Sequence, residues 1–168
     1  MKNTIKSDSN SKIISISLVD PQNYSPTSVI QRDRETALND LRRESFFQPT
    51  KDSNGPYHLR LSIEDNRLVF CTTNKNDEAL PMLVLSLKPY RRIIKDYFLI
   101  MHSYEEALSD GKPSRIEAID MGRRGLHNEG AGLMMERLED KITMDLNTAR
   151  RLFTLICVLH TTTAMVWR

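Results

Sequence analysis

The sequence predicts an α+β domain. It reads as an antiparallel β-meander of three to five strands with four helices packed on it, one of them a central apolar C-terminal helix. Three observations carry this. Residues 57–87 hold consecutive strand patterns with no helical period between them. From Pro89 onward the apolar residues recur at three and four. Leu152 to Leu159 is apolar almost all round, which marks a helix at the centre of the core.

The first element is a strand from Lys12 to Val19, where Ile14, Ile16 and Leu18 alternate with Ser15 and Ser17. Residues 1–11 before it are polar and read as a disordered tail without the apolar stretch of a signal peptide. Asp20-Pro21 ends the strand, and Ser25 with Pro26 is a helix start. Val29, Ile30, Ala37, Leu38 and Leu41 mark the buried face of that helix. Its interleaved arginines and acids, Arg32 to Glu44, read as a solvated face. Phe46 and Phe47 anchor its end and Pro49 stops it.

Residues 57–73 predict a hairpin. Tyr57, Leu59, Leu61 and Ile63 share a face, and Asp65-Asn66 is a two-residue turn of types that tolerate positive φ. That register sets Glu64 opposite Arg67, Ile63 opposite Leu68 and Leu61 opposite Phe70. Leu80–Leu87 is apolar on both faces and reads as an inner or helix-covered strand. Pro89 opens a helix through Tyr90, Ile93, Ile94, Tyr97, Met101, Tyr104 and Leu108, closed by Asp110-Gly111. Ser114 and Glu117 form a capping-box pattern ahead of a further helix, which Gly122, Gly125, Gly130 and Gly132 interrupt. Lys141–Met144 alternates like a short last strand, and Asp145 caps the final helix. Residues 12–160 thus make one domain, with 161–168 a C-terminal tail holding the single Trp, Trp167.

Composition narrows the function. The chain has 168 residues, and 24 Lys plus Arg against 22 Asp plus Glu leave a formal net charge of only +2, which argues against a dedicated DNA-coating protein. No uninterrupted apolar stretch approaches the roughly 18 residues of a membrane span. A cytoplasmic location follows by default, with no membrane partner. Two cysteines are too few for a disulfide framework, so Cys71 and Cys157 are expected to be unpaired, mostly buried thiols. His58, His102, His127 and His160 are scattered, with no metal-ligand spacing, and no metal or cofactor is expected. There is no Walker loop, no dinucleotide fingerprint and no G-x-S-x-G elbow.

The richest polar constellation lies between residues 120 and 130. At helical spacing Asp120, Arg123, Arg124, His127 and Asn128 share a broad polar face, opposite Ile116, Ile119 and Leu126. Arginine presents a planar fork of donors to an oxyanion, and histidine can add a donor or move a proton. The competing reading is a helix that crosses a neighbour closely at its glycines, with the charges tied in structural ion pairs. Two adjacent guanidinium groups need acceptors from outside this helix, either an anionic ligand or carboxylates such as Asp96 or Glu105. Four Arg-Arg pairs, at 42-43, 91-92, 123-124 and 150-151, would make a basic patch for RNA or nucleotide phosphates if they converge.

Several long blocks carry a resemblance. They are Gly55-Pro-Tyr-His-Leu-Arg-Leu-Ser-Ile63, Asn66-Arg-Leu-Val-Phe70, Tyr90-Arg-Arg-Ile-Ile-Lys-Asp-Tyr-Phe-Leu-Ile100, Ile116-Glu-Ala-Ile-Asp-Met-Gly-Arg-Arg-Gly-Leu-His-Asn-Glu-Gly130 and Thr148-Ala-Arg-Arg-Leu-Phe-Thr-Leu-Ile-Cys-Val-Leu-His160. In order and spacing the chain resembles a bacterial uncharacterised protein family, number 0262 in that series, over roughly residues 12 to 160. The resemblance implies a small cytosolic bacterial protein and transfers no catalytic or binding residue.

The expectation from the residues is a non-catalytic cytosolic binding module whose Arg/His helix takes an anionic ligand, a small molecule such as a nucleotide or an RNA phosphate. One alternative is a phosphate-ester hydrolase with His127 as acid/base and Arg123 and Arg124 holding the oxyanion. Another is a structural partner or homodimerisation domain using the apolar last helix and tail. A pocket with His127 at its base favours the enzyme, a flat basic face favours RNA, and an exposed apolar patch at Phe153 or Trp167 favours a protein partner.

Overall fold

A computed structural model describes residues 10–19 and 27–166, with side chains to His160. Within these the chain forms β1 (Ile13–Leu18), α1 (Ser28–Arg43), β2 (Phe47–Pro49), β3 (Tyr57–Glu64), β4 (Arg67–Thr73), β5 (Leu83–Ser86), α2 (Arg91–Asp110), α3 (Pro113–Arg137), β6 (Ile142–Met144) and α4 (Leu146–Val166). A 3-10 turn, Lys88–Tyr90, leads into α2. The fold is α+β. One sheet has the strand order β1-β3-β4-β5, and β2 and β6 form a second, two-stranded sheet.

The hairpin has the register read from the sequence: Glu64 pairs with Arg67, Ile63 with Leu68 and Leu61 with Phe70. Asp65 and Asn66 both take positive φ, 53° and 60°, which suits a tight turn between twisted strands. Leu59, Leu61, Leu68 and Phe70 are all buried in the core.

Five expectations are corrected. The sheet is not a pure antiparallel meander, because β1 runs parallel to β3. Parallel pairing needs a long crossover, and α1 lies between the two strands in sequence to supply it. Within β1 the register shifts between Ile13 and Ser15, which turns Ile14 outward at 46% exposure and buries Ile13 beside Ile16. Phe47 and Pro49 do not end a helix: α1 stops at Arg43, and Phe47–Pro49 is a strand paired with β6. β5 is an edge strand four residues long, and Val84 points to solvent. The capping box at Ser114 does not form, since α3 starts one residue earlier, with Pro113 at its first position and Lys112 before it making no side-chain cap.

At the other helix starts, Thr27 Oγ1 accepts from the Ile30 amide of α1, and Asp145 Oδ1 accepts from the Thr148 amide of α4 at 2.9 Å, as its sequence position suggested. Ser25, Pro26 and the Asp20-Pro21 turn lie outside the described residues.

α4 is the axis of the core. Ala149, Leu152, Phe153 and every residue from Leu155 to Leu159 are buried, and the helix touches α1, α2, α3 and β3. Its backbone continues to Val166, six residues into the segment read as a tail. Cys157 is fully buried inside it and Cys71 is half-buried on β4, and neither is in a disulfide. Burial pushes the Cys157 thiol well above its ordinary range, so it is inert.

α3 runs unbroken through its four glycines, and two of them explain its path. A Cβ at Gly130 would fall inside 3.0 Å of the Phe153 ring on α4, and one at Gly122 would reach 2.8 Å from Ile100 Cδ1 on α2. These are close helix crossings. Gly125 and Gly132 have nothing within 4 Å of that position. Replacing either by Ala is therefore expected to stabilise the protein by roughly 0.5–1 kcal/mol, read as a rise in thermal midpoint.

Candidate functional site

Three helices line an open cavity of about 220 Å³. α1 contributes Asp33, Thr36, Ala37 and Asp40, at i, i+3, i+4 and i+7 on one face. α3 contributes Asp120, Arg123, Arg124 and His127 with the same spacing. α4 adds Arg150, Arg151 and Thr154 from its second and third turns. Of the five residues singled out in the sequence, four line this space. Asn128 is exposed and lies outside the lining.

Arg123 is the most engaged of the four arginines. Its Nη1 donates to Asp33 Oδ1 at 3.3 Å and its Nη2 to Asp120 Oδ1 at 3.0 Å. Its guanidinium carbon sits 5.1 Å from the centre of the Tyr104 ring. Asp33 also accepts from Tyr97 Oη at 2.7 Å. Burial, then the neighbouring Asp33 charge, keeps that phenol protonated and donating. Arg124 reaches Asp120 Oδ2 at 3.0 Å but is 70% exposed. Arg151 Nε donates to Asp40 Oδ2 at 2.9 Å, and Arg43 holds the other oxygen of Asp40 at 2.8 Å.

Arg150 differs. Its Nε is buried without a hydrogen-bond partner, and among the described residues no carboxylate lies within ion-pair distance of it. Four arginines therefore face three aspartates around the cavity.

His127 is buried, with its ring edge-on to Tyr97 and to Phe153 at centroid distances of 6.0 and 5.9 Å. Its Nδ1–H donates to the Arg123 carbonyl at 2.8 Å, which fixes the tautomer and leaves Nε2 as a lone-pair acceptor. Burial lowers its pKa, against opposing pulls from that carbonyl and from Asp33, while Arg123 and Arg150 add to the lowering. His160 is lowered by burial as well. The folded protein thus favours neutral rings. The stability this gives is complete above the ordinary histidine pKa of about 6.5 and is lost as pH falls through it toward the folded values. Thermal midpoints should fall on acidification through this range, and His127→Phe should flatten part of that fall.

One outside carboxylate for the Arg123-Arg124 pair comes from α1: Asp33 meets Arg123, while among the described residues Arg124 has only Asp120 of its own helix. Asp96, one of those suggested from sequence, instead pairs with Arg92, which also holds Glu129. The contribution of α1 was visible as Asp33, Ala37 and Asp40 on one helical face, but the mixed charges around them made that face look solvated. Of the Arg-Arg pairs, 123-124 and 150-151 meet at the cavity. Among the described residues no three His, Cys, Asp or Glu side chains are grouped to hold a metal ion, and no helix is long and apolar enough to cross a membrane.

The model of uncharacterised protein family UPF0262 matches residues 10–162. A family member from Mesorhizobium japonicum is 53% identical over 135 residues, covering 80% of this chain and 84% of its own. One from Chelativorans sp. is 47% identical over 156 residues, covering 92% and 96%. One from Agrobacterium fabrum is 51% identical over 134 residues, covering 80% and 85%. No solved structure matches the chain. The family match spans the described strands and helices together, from before β1 into the last turns of α4, so the chain belongs to bacterial uncharacterised protein family 0262.

Proposed function

We propose that this protein is a non-catalytic binding module that takes a small anionic ligand in the cavity between α1, α3 and α4. Arg150 carries the reading. A buried guanidinium N–H left without an acceptor costs about 1–3 kcal/mol in general, and an anion entering the cavity would offset that. Arg124, exposed and held at one end only, is free to close over such an anion. The volume favours a small ligand over a nucleotide: it lies below the roughly 300–1,000 Å³ of pockets that enclose drug-sized molecules. An RNA strand would ask for cations spread along an open face, whereas these are gathered around a cavity. Docking of a protein partner through Phe153 is disfavoured because that ring is fully buried.

The test is a thermal-shift and calorimetric screen against phosphate, sulfate, citrate, nucleotides and RNA, run on the native protein and on Arg150→Ala. A ligand at 100 times its Kd should stabilise by about 2.7 kcal/mol. Arg150→Ala should weaken that ligand at least about tenfold, since charge-assisted bonds carry the contact, and should leave the unliganded protein at least as stable as before. A screen in which no anion binds, or in which Arg150→Ala binds as well as the native chain, overturns the reading.

One observation favours the hydrolase reading as well. His127 lines the cavity as a neutral ring with a free basic nitrogen, the state a general base requires. Against it, the fork of Arg123 is already taken by Asp33 and Asp120 and cannot also hold an oxyanion. Turnover of a chromogenic phosphate ester, abolished in His127→Gln, would decide for the enzyme.

A further inference from the structure

We infer that the cavity selects an oxyanion carrying its own hydroxyl, so that hydrogen phosphate, free or in a small ester with a hydroxyl beside the phosphoryl group, binds in preference to sulfate. This rests on the anion-binding reading above and concerns which anion is taken.

The donors are plain. Arg150, Arg124 and the unused nitrogens of Arg151 offer N–H groups to any oxyanion. The acceptors decide. Every carboxylate oxygen of Asp33, Asp40 and Asp120 already has a donor: Arg123 and Tyr97 on Asp33, Arg43 and Arg151 on Asp40, Arg123 and Arg124 on Asp120. His127 is different. Its Nδ1–H is held by the Arg123 carbonyl, and among the described residues its Nε2 makes no hydrogen bond and is not sealed from solvent. Rotating the ring to present Nδ1–H instead would break the bond to the carbonyl and disturb the edge contacts to Tyr97 and Phe153. Burial and the charges of Arg123 and Arg150 oppose protonating it and outweigh the pull of the Arg123 carbonyl and of Asp33.

A ligand in the cavity therefore meets a fixed lone pair from His127 together with guanidinium donors from α3 and α4. Sulfate is all acceptor near neutral pH and sets an oxygen lone pair against Nε2. Hydrogen phosphate keeps one P–OH, which donates to Nε2 while its charged oxygens face the arginines. A site that pairs a ligand hydroxyl rejects the analogue lacking it, because its own polar group is left unsatisfied.

Calorimetric titration near neutral pH at fixed ionic strength tests this with inorganic phosphate, sulfate, methyl phosphate and glycerol phosphate. Phosphate is expected to bind roughly tenfold more tightly than sulfate. Methyl phosphate, largely without a P–OH at this pH, should follow sulfate. Glycerol phosphate siding with phosphate identifies a hydroxylated ester as a fitting ligand, and siding with methyl phosphate identifies the free ion. His127→Phe should weaken phosphate, bind sulfate no more weakly than the native chain and bring the two within about twofold, while His127→Gln, which keeps an acceptor, should retain part of the preference. Should His127→Phe fail to fold, the comparison of phosphate, sulfate and methyl phosphate on the native chain still decides. Sulfate binding as tightly as phosphate overturns this inference and leaves the anion site standing. Binding of neither ion, with no other anion bound, removes both.

Discussion

Replacing Phe153 with Ala is expected to destabilise the protein by about 3–5 kcal/mol, the range for truncating a fully buried ring. Phe153 is 0% exposed at the centre of α4, stacks on Tyr90 at 6.5 Å and backs the His127 ring. Gly130 presses on it from α3, so the ring fills the space where these helices cross. The same contact makes Gly130→Ala unfavourable in the native chain. The added methyl would drive a ring that has no free volume to move into, by about 1–3 kcal/mol, against roughly 1 kcal/mol gained in helix propensity. The pair should therefore be strongly non-additive. In the Phe153→Ala background the methyl enters the vacated space, and Gly130→Ala should turn from destabilising to stabilising. Denaturant unfolding of the two single variants and the double variant measures this. Additive costs would mean that Gly130 does not owe its presence to Phe153.

The core helix and the hairpin were legible because each rests on a local signal. Eight near-continuous apolar residues from Leu152 can only be interior, and Asp65-Asn66 between two alternating runs fixes a register. The parts that were not legible depend on partners distant in sequence. Phe47–Pro49 is too short to show a period, and it becomes a strand only because Ile142–Met144 lies beside it. The bulge that turns Ile14 outward is set by pairing with β3 and leaves no mark on the alternation of isoleucine and serine. The candidate site divides the same way. Asp120, Arg123, Arg124 and His127 share a helical face that can be counted from the sequence, and they do face one cavity. Asn128, one residue past His127 on that wheel, falls outside it. Asp33, Asp40 and Arg150 arrive from α1 and α4, and only the packing of those helices on α3 brings them in.

Arg123→Ala is expected to destabilise by about 2–4 kcal/mol, somewhat below the 3–5 typical of a wholly buried pair because each partner keeps some solvent. The adjacent Arg124→Ala should cost under about 1 kcal/mol, the usual worth of an exposed ion pair. The two residues differ only in which way the helix turns them. Arg124 is 70% exposed and meets one carboxylate oxygen. Arg123 is 24% exposed and among the described residues is the one link between Asp120 on its own helix and Asp33 on α1, while its face lies on Tyr104 of α2. Without Arg123, Asp33 keeps the Tyr97 hydroxyl as a donor but has no neighbouring cation pairing with it among the described residues. Most of the loss should thus come from the stranded Asp33 charge and not from the missing attraction. That gives a decisive comparison. Asp33→Asn removes the charge while keeping an oxygen for Tyr97, so Arg123→Ala on the Asp33→Asn background should cost much less than on the native one. A difference of about 1–3 kcal/mol between the two backgrounds is expected from a double-mutant cycle by denaturant unfolding. Equal costs on both would mean that Arg123 stabilises through Asp120 and its packing on Tyr104, not through Asp33. In that case Asp33 would be free to be met by the cations that line the cavity with it.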